Sequence, residues 1–182
     1  MQLLNSWHVH RNTSLDGTMN VLGATIYPVA AAIPVAQFIY GLAKDDPKSI
    51  ENSLQTAATL VVTAASTYGL KYIIRRERPY VTHPEYKPYE YDGSPSFPSG
   101  HTSFAFATAT NLSLEYPRWY VIVPSYLYAG AIGYSRIHLG AHYPSDVLAG
   151  AIVGAASAYV TYKGKQWLKG HWKKKPQERL LD

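Results

Sequence analysis

The sequence predicts an all-α fold: an integral membrane helical bundle of about five spanning helices, with a short N-terminal helix lying along the interface. Three observations carry that reading. Residues 17–43 include no charged side chain, and 27 uncharged positions exceed the ~20 that a helix needs to cross a bilayer. Small residues recur every fourth position at Gly150, Gly154 and Ala158, the spacing at which membrane helices approach closely. The segment 163–182 carries a charge equal to the whole formal net charge of +5 and directly follows an apolar run, as a cytoplasmic flank does.

Each element follows in order. Residues 1–16 scatter Leu3, Leu4, Trp7, Val9 and Leu15 among polar neighbours, the pattern of an interfacial helix, with an ordered surface arm as the alternative. They lack the continuous apolar core of a cleavable signal, so the first span is expected to direct insertion. Within that span, Pro28 and Pro34 predict kinks. Residues 52–70 form a second uncharged stretch rich in Ala, Thr and Val, long enough to span if Lys71 snorkels or lies in a polar cavity. Residues 102–114, 119–135 and 147–162 are shorter, with Trp and Tyr at several ends, and complete the five. Residues 79–98, with five prolines and Gly93, predict a loop, and loops of that length are usually functional.

At 182 residues the chain is expected to be one domain, 1–182. With 47% hydrophobic and only 16% charged residues, disorder and coiled coil are excluded. The absence of Cys rules out disulfides and thiolate chemistry, leaving His, Ser and carboxylates. Buried helices of a soluble protein are the competing reading of the apolar runs. A basic tail that follows an apolar run points to the bilayer as partner and not to nucleic acid.

Three polar clusters interrupt the apolar segments. On a continued helix, Lys71, Arg75 and Arg78 stand at i, i+4 and i+7 and share a face, where three cations call for an anion such as phosphate. A basic flank facing lipid phosphates is the alternative. In Pro98-Ser99-Gly100-His101, Ser99 is a candidate N-cap and the Gly100 N–H stands at a helix N-terminus, where an anion is favoured; a plain capped helix has the same signature. The third cluster is Ser135-Arg136, His142 and Asp146, with Gly140 and Pro144 breaking the helix between. Asp146 is either an N-cap or the acceptor that fixes the His142 tautomer and leaves Nε2 free to attack. All three clusters lie at segment ends that the crossing count brings to one side.

These residues resemble the type 2 phosphatidic acid phosphatase superfamily, which also holds bacterial non-specific acid phosphatases and vanadium haloperoxidases. The match runs through Lys71, six residues, Arg78-Pro79; Pro98-Ser99-Gly100-His101; and Ser135-Arg136, five residues, His142, three residues, Asp146. It covers residues 71–146 with unbroken internal spacing. The resemblance implies that His142 is the nucleophile of a phosphohistidine intermediate, oriented by Asp146. It implies that His101 protonates the leaving oxygen and later helps activate water. Lys71, Arg78 and Arg136, with Ser99 and the Gly100 N–H, would bind the phosphoryl oxygens. No metal and no cofactor is implied, since cations and backbone dipoles neutralise the charge. His138 is a candidate for either a pocket-lining or a structural role, while Arg75 and Arg76 are expected outside the catalytic set, as adjuncts or lipid-phosphate contacts. His8, His10, His83 and His171 have no motif support.

Ten of the 17 Lys and Arg residues, including Lys44, Lys48, Arg118 and the tail, fall opposite the clusters. The positive-inside rule then makes the tail cytoplasmic and the site extracytoplasmic, in a multi-pass protein of a bacterial inner membrane. The expected substrate is a phosphomonoester or pyrophosphate on a lipid headgroup. Phosphatidylglycerol phosphate, an isoprenyl pyrophosphate, lipid A and phosphatidic acid are open alternatives. Tyr80, Tyr86, Tyr89 and Tyr91 are expected at headgroup level, where they would screen substrates. The competing functions are a soluble acid phosphatase or vanadate-dependent peroxidase of the same superfamily, and a non-catalytic protein that binds anionic lipid. The first two fit less well, since secreted members are expected to carry a leader and the peroxidases to be longer.

Overall fold

A computed structural model describes residues 12–85 and 87–178, with side chains through His171. The expected interfacial helix falls almost wholly outside these residues, as do Tyr86 and the last four positions of the tail. The chain begins with a 3-10 turn, Thr13–Leu15, in which Asn12 Oδ1 caps the Ser14 N–H at 3.1 Å. Helices α1 (Asp16–Ala24), α2 (Ile26–Ala43), α3 (Pro47–Ile74), α4 (Pro79–Thr82), α5 (Gly100–Glu115), α6 (Trp119–His138) and α7 (Pro144–Glu178) follow. There is no strand among the described residues.

Local chemistry sets the boundaries. The long uncharged stretch is divided at Thr25, whose Oγ1 bonds to Leu22 O and to the Tyr128 hydroxyl, each at 2.6 Å. Pro28 sits in the first turn of α2, where its missing N–H costs nothing, and Pro34 lies inside the helix. Asp46 caps α3 through the Lys48 N–H at 3.1 Å with Pro47 at the first helical position. Helix α3 ends at Ile74 because Arg75 adopts the left-handed conformation, φ 51°, ψ 37°. This corrects the shared-face reading: Arg75 turns back to Tyr72 O at 2.9 Å and Arg78 lies beyond the helix. The expected loop over 79–98 opens with the single turn α4 and is irregular thereafter. The basic tail continues α7 without a break to Glu178.

Polarity is arranged inside out. The buried face of α3 is hydroxyl, amide and lysine: Ser49, Asn52, Ser53, Gln55, Thr56, Thr59, Thr63, Thr67 and Lys71. Its outer face shows Leu54, Val61, Tyr72 and Ile73. Helices α2, α6 and α7 likewise expose Ile39, Leu42, Leu127, Ile152 and Val160. Apolar side chains gain nothing by burial when the surroundings are hydrocarbon, whereas polar groups must find partners inside. Accordingly Thr59 Oγ1 donates to Asn111 Oδ1 at 3.1 Å and Gln37 Nε2 to Glu115 Oε2 at 2.7 Å. Two helical stretches, Thr13–Ala43 and Pro47–Thr82, are long and apolar enough to cross a membrane. Helix α5, at 16 residues, is too short for that test, and in α6 and α7 Ser, Gly and Tyr dilute the apolar residues.

Helix α5 is the centre of the bundle. At 16 residues it is about 24 Å long, and its N-terminus is tied to the start of α7 by the Ser99 N–H to Asp146 O bond at 3.0 Å. Ala105, Ala109, Ala129, Ile26, Ala30 and Ile132 form a small apolar cluster around it. Its tightest contact is with α7, along the small-residue seam. A Cβ at Gly154 would stand 2.1 Å from Ser103 O, and one at Gly150 would stand 2.7 Å from Ser99 O. The seam thus presses α7 against the turn that starts α5.

Candidate active site

Four chain breaks converge at this end of the bundle: the C-terminus of α3, the N-terminus of α5, the C-terminus of α6 and the N-terminus of α7. They enclose a cavity of about 220 Å³ lined by Arg78, Asp92, His101, Arg136 and His142, among others. A smaller compartment of about 70 Å³ adjoins it, reached by Lys71, Thr67 and Gly100 and sharing Arg78, Asp92, His101 and His142.

Each cation is held by the backbone it neighbours. Lys71 is buried and donates its Nζ to Pro95 O. Arg78 donates Nε to Ser94 O at 2.8 Å, Nη1 to Ala141 O at 3.1 Å, and Nη2 to Ser94 Oγ at 3.0 Å and Asp92 Oδ2 at 2.5 Å. Arg136 reaches across to α1, where Nη2 bonds Met19 O at 3.1 Å, and Nε bonds Ser135 Oγ at 3.1 Å. Its guanidinium fills the space that Gly23 leaves open: a Cβ there would stand 1.7 Å from Arg136 Nη2.

The two histidines occupy different surroundings. His101, second residue of α5, lies against the Tyr27 ring at a centroid distance of 4.8 Å. His142 follows the turn at Gly140, whose φ of 70° favours glycine. Its Nδ1 faces Ser96 Oγ at 3.4 Å and Asp146 Oδ2 at 3.7 Å, so Nε2 is the nitrogen left toward the cavity. Enclosure pushes the His142 imidazole down to about 4, which the Asp146 carboxylate only partly offsets. The ring therefore stays neutral, as a nitrogen nucleophile must.

Asp146 is fully buried and held on every side. Its Oδ2 accepts from Ser96 Oγ at 2.6 Å and from the Tyr143 N–H at 3.0 Å, and its Oδ1 from Arg76 Nη1 at 2.7 Å. Asp146 is not the N-cap expected of it, because α7 starts two residues earlier at Pro144; from the first turn its carboxylate reaches back to the Tyr143 N–H and stands behind His142. Its main-chain carbonyl also accepts the Ser99 N–H at 3.0 Å, tying the second and third clusters together.

Several expectations change. Ser99 precedes α5 but its side chain makes no cap; its Oγ accepts from Thr102 Oγ1 at 2.9 Å. Arg76, expected as an adjunct or lipid contact, is the partner of Asp146 and also bonds Ser145 Oγ at 2.7 Å while lying 4.0 Å over the Tyr143 ring. His138 pairs with Asp16 Oδ1 at 3.0 Å, joining α6 to α1. The sequence does not mark Ser96 or Asp92 as site residues, because nothing in a Pro-rich loop shows which polar residue turns inward. Asp92 also bonds the Ser94 N–H at 2.8 Å. Partial burial pushes its carboxyl up, but the Ser94 N–H, Arg78 and Lys71 outweigh this and hold it below the ordinary carboxylate range. Asn20 and Ala24 of α1 complete the wall, a contribution the sequence did not signal.

Comparison with known proteins identifies the family. The profile of the PAP2 superfamily matches residues 53–169. The chain is 33% identical over 96 residues to an undecaprenyl-diphosphatase of Sulfolobus acidocaldarius, an alignment covering 50% of this chain and 44% of that protein. It is 24% identical over 160 residues to undecaprenyl-diphosphatase BcrC of Bacillus subtilis, covering 88% of this chain and 80% of that one. Among solved structures, that of Aquifex aeolicus LpxE superposes with a TM-score of 0.77 at 25% identity, covering 89% of this chain and 93% of the other.

Proposed function

This chain belongs to the PAP2 superfamily, and on that premise we propose that it is a membrane phosphatase acting on a phosphomonoester or pyrophosphate of a lipid headgroup. One observation carries the reading: Arg78 and Arg136 face a single cavity together with two histidines, and one of these, His142, is backed by a buried carboxylate. A protein that only bound anionic lipid would need the cations but neither histidine nor Asp146. Undecaprenyl-diphosphatases among the relatives point to the same substrate class.

In the reaction, Nε2 of His142 attacks phosphorus while the bond to the leaving oxygen breaks, and His101 supplies the proton that oxygen takes up. Water then attacks the phosphohistidine, giving its proton to His101, and inorganic phosphate leaves. Arg78, Arg136 and Lys71 neutralise the equatorial oxygens, and the Gly100 N–H adds the partial positive charge of the α5 N-terminus. Asp146, itself held by Ser96 and Arg76, stabilises the imidazolium formed in transit. Ser99 Oγ accepts from Thr102 and keeps its own proton to donate to a phosphoryl oxygen.

The five long helices α2, α3, α5, α6 and α7 serve as the spans. At 35 residues, α7 is about 52 Å long, so its basic far end projects beyond a ~30 Å hydrocarbon layer. With the basic residues gathered at that end, the positive-inside rule puts the cavity on the extracytoplasmic face.

The test is phosphate release from a panel of lipid and soluble phosphates in detergent, with EDTA, comparing wild type with His142→Ala. Lipid-selective turnover that resists EDTA and vanishes in the variant is expected. Turnover retained in H142A would refute the phosphohistidine mechanism.

A further inference from the structure

Asp92 belongs to none of the three sequence clusters, yet its carboxylate stands among their cations. Its Oδ2 holds Arg78 Nη2, its Oδ1 holds the Ser94 N–H, and it lines both compartments of the cavity. The Tyr80 hydroxyl clasps the same residue, donating to Asp92 O at 2.8 Å and accepting from its N–H at 2.9 Å. The side chain nevertheless remains 53% exposed. The carboxylate can therefore rotate away from Arg78 while Tyr80 keeps the backbone in place.

We propose that Asp92 is a specificity-determining residue that occupies Arg78 in the free protein and yields it to a terminal phosphoryl group but not to the phosphodiester of surrounding lipids; this rests on the phosphatase reading above. The reason is charge and valence. A terminal phosphate carries between one and a half and two negative charges at neutral pH and three free oxygens, enough to engage Arg78, Arg136 and Lys71 together. A phosphodiester carries one charge and two free oxygens. Exchanging it for a carboxylate gains no charge at Arg78 and breaks a charge-assisted bond already made. In a bilayer crowded with phosphodiesters, such a resident anion keeps the cations available for the rarer terminal phosphates.

The test uses full-length protein in detergent micelles with and without phosphatidylglycerol as the phosphodiester lipid, comparing wild type with Asp92→Asn. Two readouts are taken: the thermal shift produced by added inorganic phosphate, and the KM and kcat for the best lipid phosphate of the panel. In D92N, inorganic phosphate is expected to bind about tenfold more tightly, the scale of one lost charge-assisted competitor. Phosphatidylglycerol, inert toward wild type, is expected to raise the apparent KM of D92N. Tyr80→Phe, which loosens the clasp and retains the charge, moves both readouts the same way by less, and carries the test should D92N not fold. Unchanged or weaker phosphate binding in D92N would overturn the proposal, assigning Asp92 to orienting Arg78. Failure of the wild type to release phosphate from any lipid would instead overturn the phosphatase reading, which the thermal shift distinguishes.

Discussion

Gly23 holds no chemistry, yet replacing it by alanine should disable the site. The new Cβ would lie 1.7 Å from Arg136 Nη2 and 2.3 Å from Cζ. Against an ordinary contact of about 3.5 Å, the guanidinium must move by roughly 1.8 Å. A long side chain can make that move, so the fold survives, and Ala favours the helix over Gly by up to about 1 kcal/mol. Arg136, however, loses its bond to Met19 O and its place at the cavity wall. A hydrogen bond made by a charged group, as Arg136 would make to a phosphoryl oxygen, contributes about 1.5–3 kcal/mol, so kcat/KM should fall about 10- to 150-fold. The assay is phosphate release from the preferred lipid phosphate, with thermal unfolding of the same preparations. Gly17→Ala, on the same helix with nothing within 4 Å, serves as the control and should behave as wild type. A G23A variant within threefold of wild type would refute the argument that Arg136 acts from the position seen here.

Burial of His142 fixes the sign of a pH effect: with a folded value near 4 against 6.5 unfolded, its stability contribution is full above about pH 6.5 and declines as pH falls toward 4. Melting temperature should therefore rise across that window in wild type and rise less steeply in His142→Ala. Activity limited by neutral His142 should also persist below the ordinary imidazole range, as a kcat/KM profile would reveal. Gly154→Ala places a Cβ 2.1 Å from Ser103 O, a backbone atom that cannot yield without separating α5 from α7. That overpacking should cost about 1–3 kcal/mol and lower the melting temperature, whereas Gly164→Ala, with open space around it, should not. Ser96→Ala removes the 2.6 Å bond that positions Asp146, so kcat should fall about tenfold with KM nearly unchanged, and a loss of binding alone would contradict that role. Replacing Tyr89, which lines the cavity, together with exposed Tyr91 should change the ratio of rates on lipid and soluble phosphates; an unchanged ratio would deny the loop a selective role.

The helices and the chemically reactive side chains were legible in the sequence because both leave local signatures. Uncharged runs and small residues at every fourth position report on a hydrocarbon surrounding, and fixed spacings such as His142 to Asp146 report on one turn of chain. The shared face of Lys71, Arg75 and Arg78 failed because a single left-handed residue, Arg75, ends the helix between them. Propensity does not forecast where an arginine will accept that conformation.

What supports the reactive groups was decided only by tertiary contact. Arg76 reaches Asp146 across 70 positions, Ser96 across 50, and Arg136 finds Met19 across 117. No periodicity encodes such pairs, since each depends on which loop residue faces inward once the helices have packed. By itself the sequence determined a bundle of apolar helices and named most of the reactive groups that line its cavity. The tertiary structure alone decided that the Ser99 side chain makes no cap, that Arg76 and Ser96 hold Asp146, and that Asp92 pairs with Arg78. The division follows from range: solvent preference and helical spacing act within a few residues, while the direction of a buried polar side chain is set by whichever distant partner satisfies it.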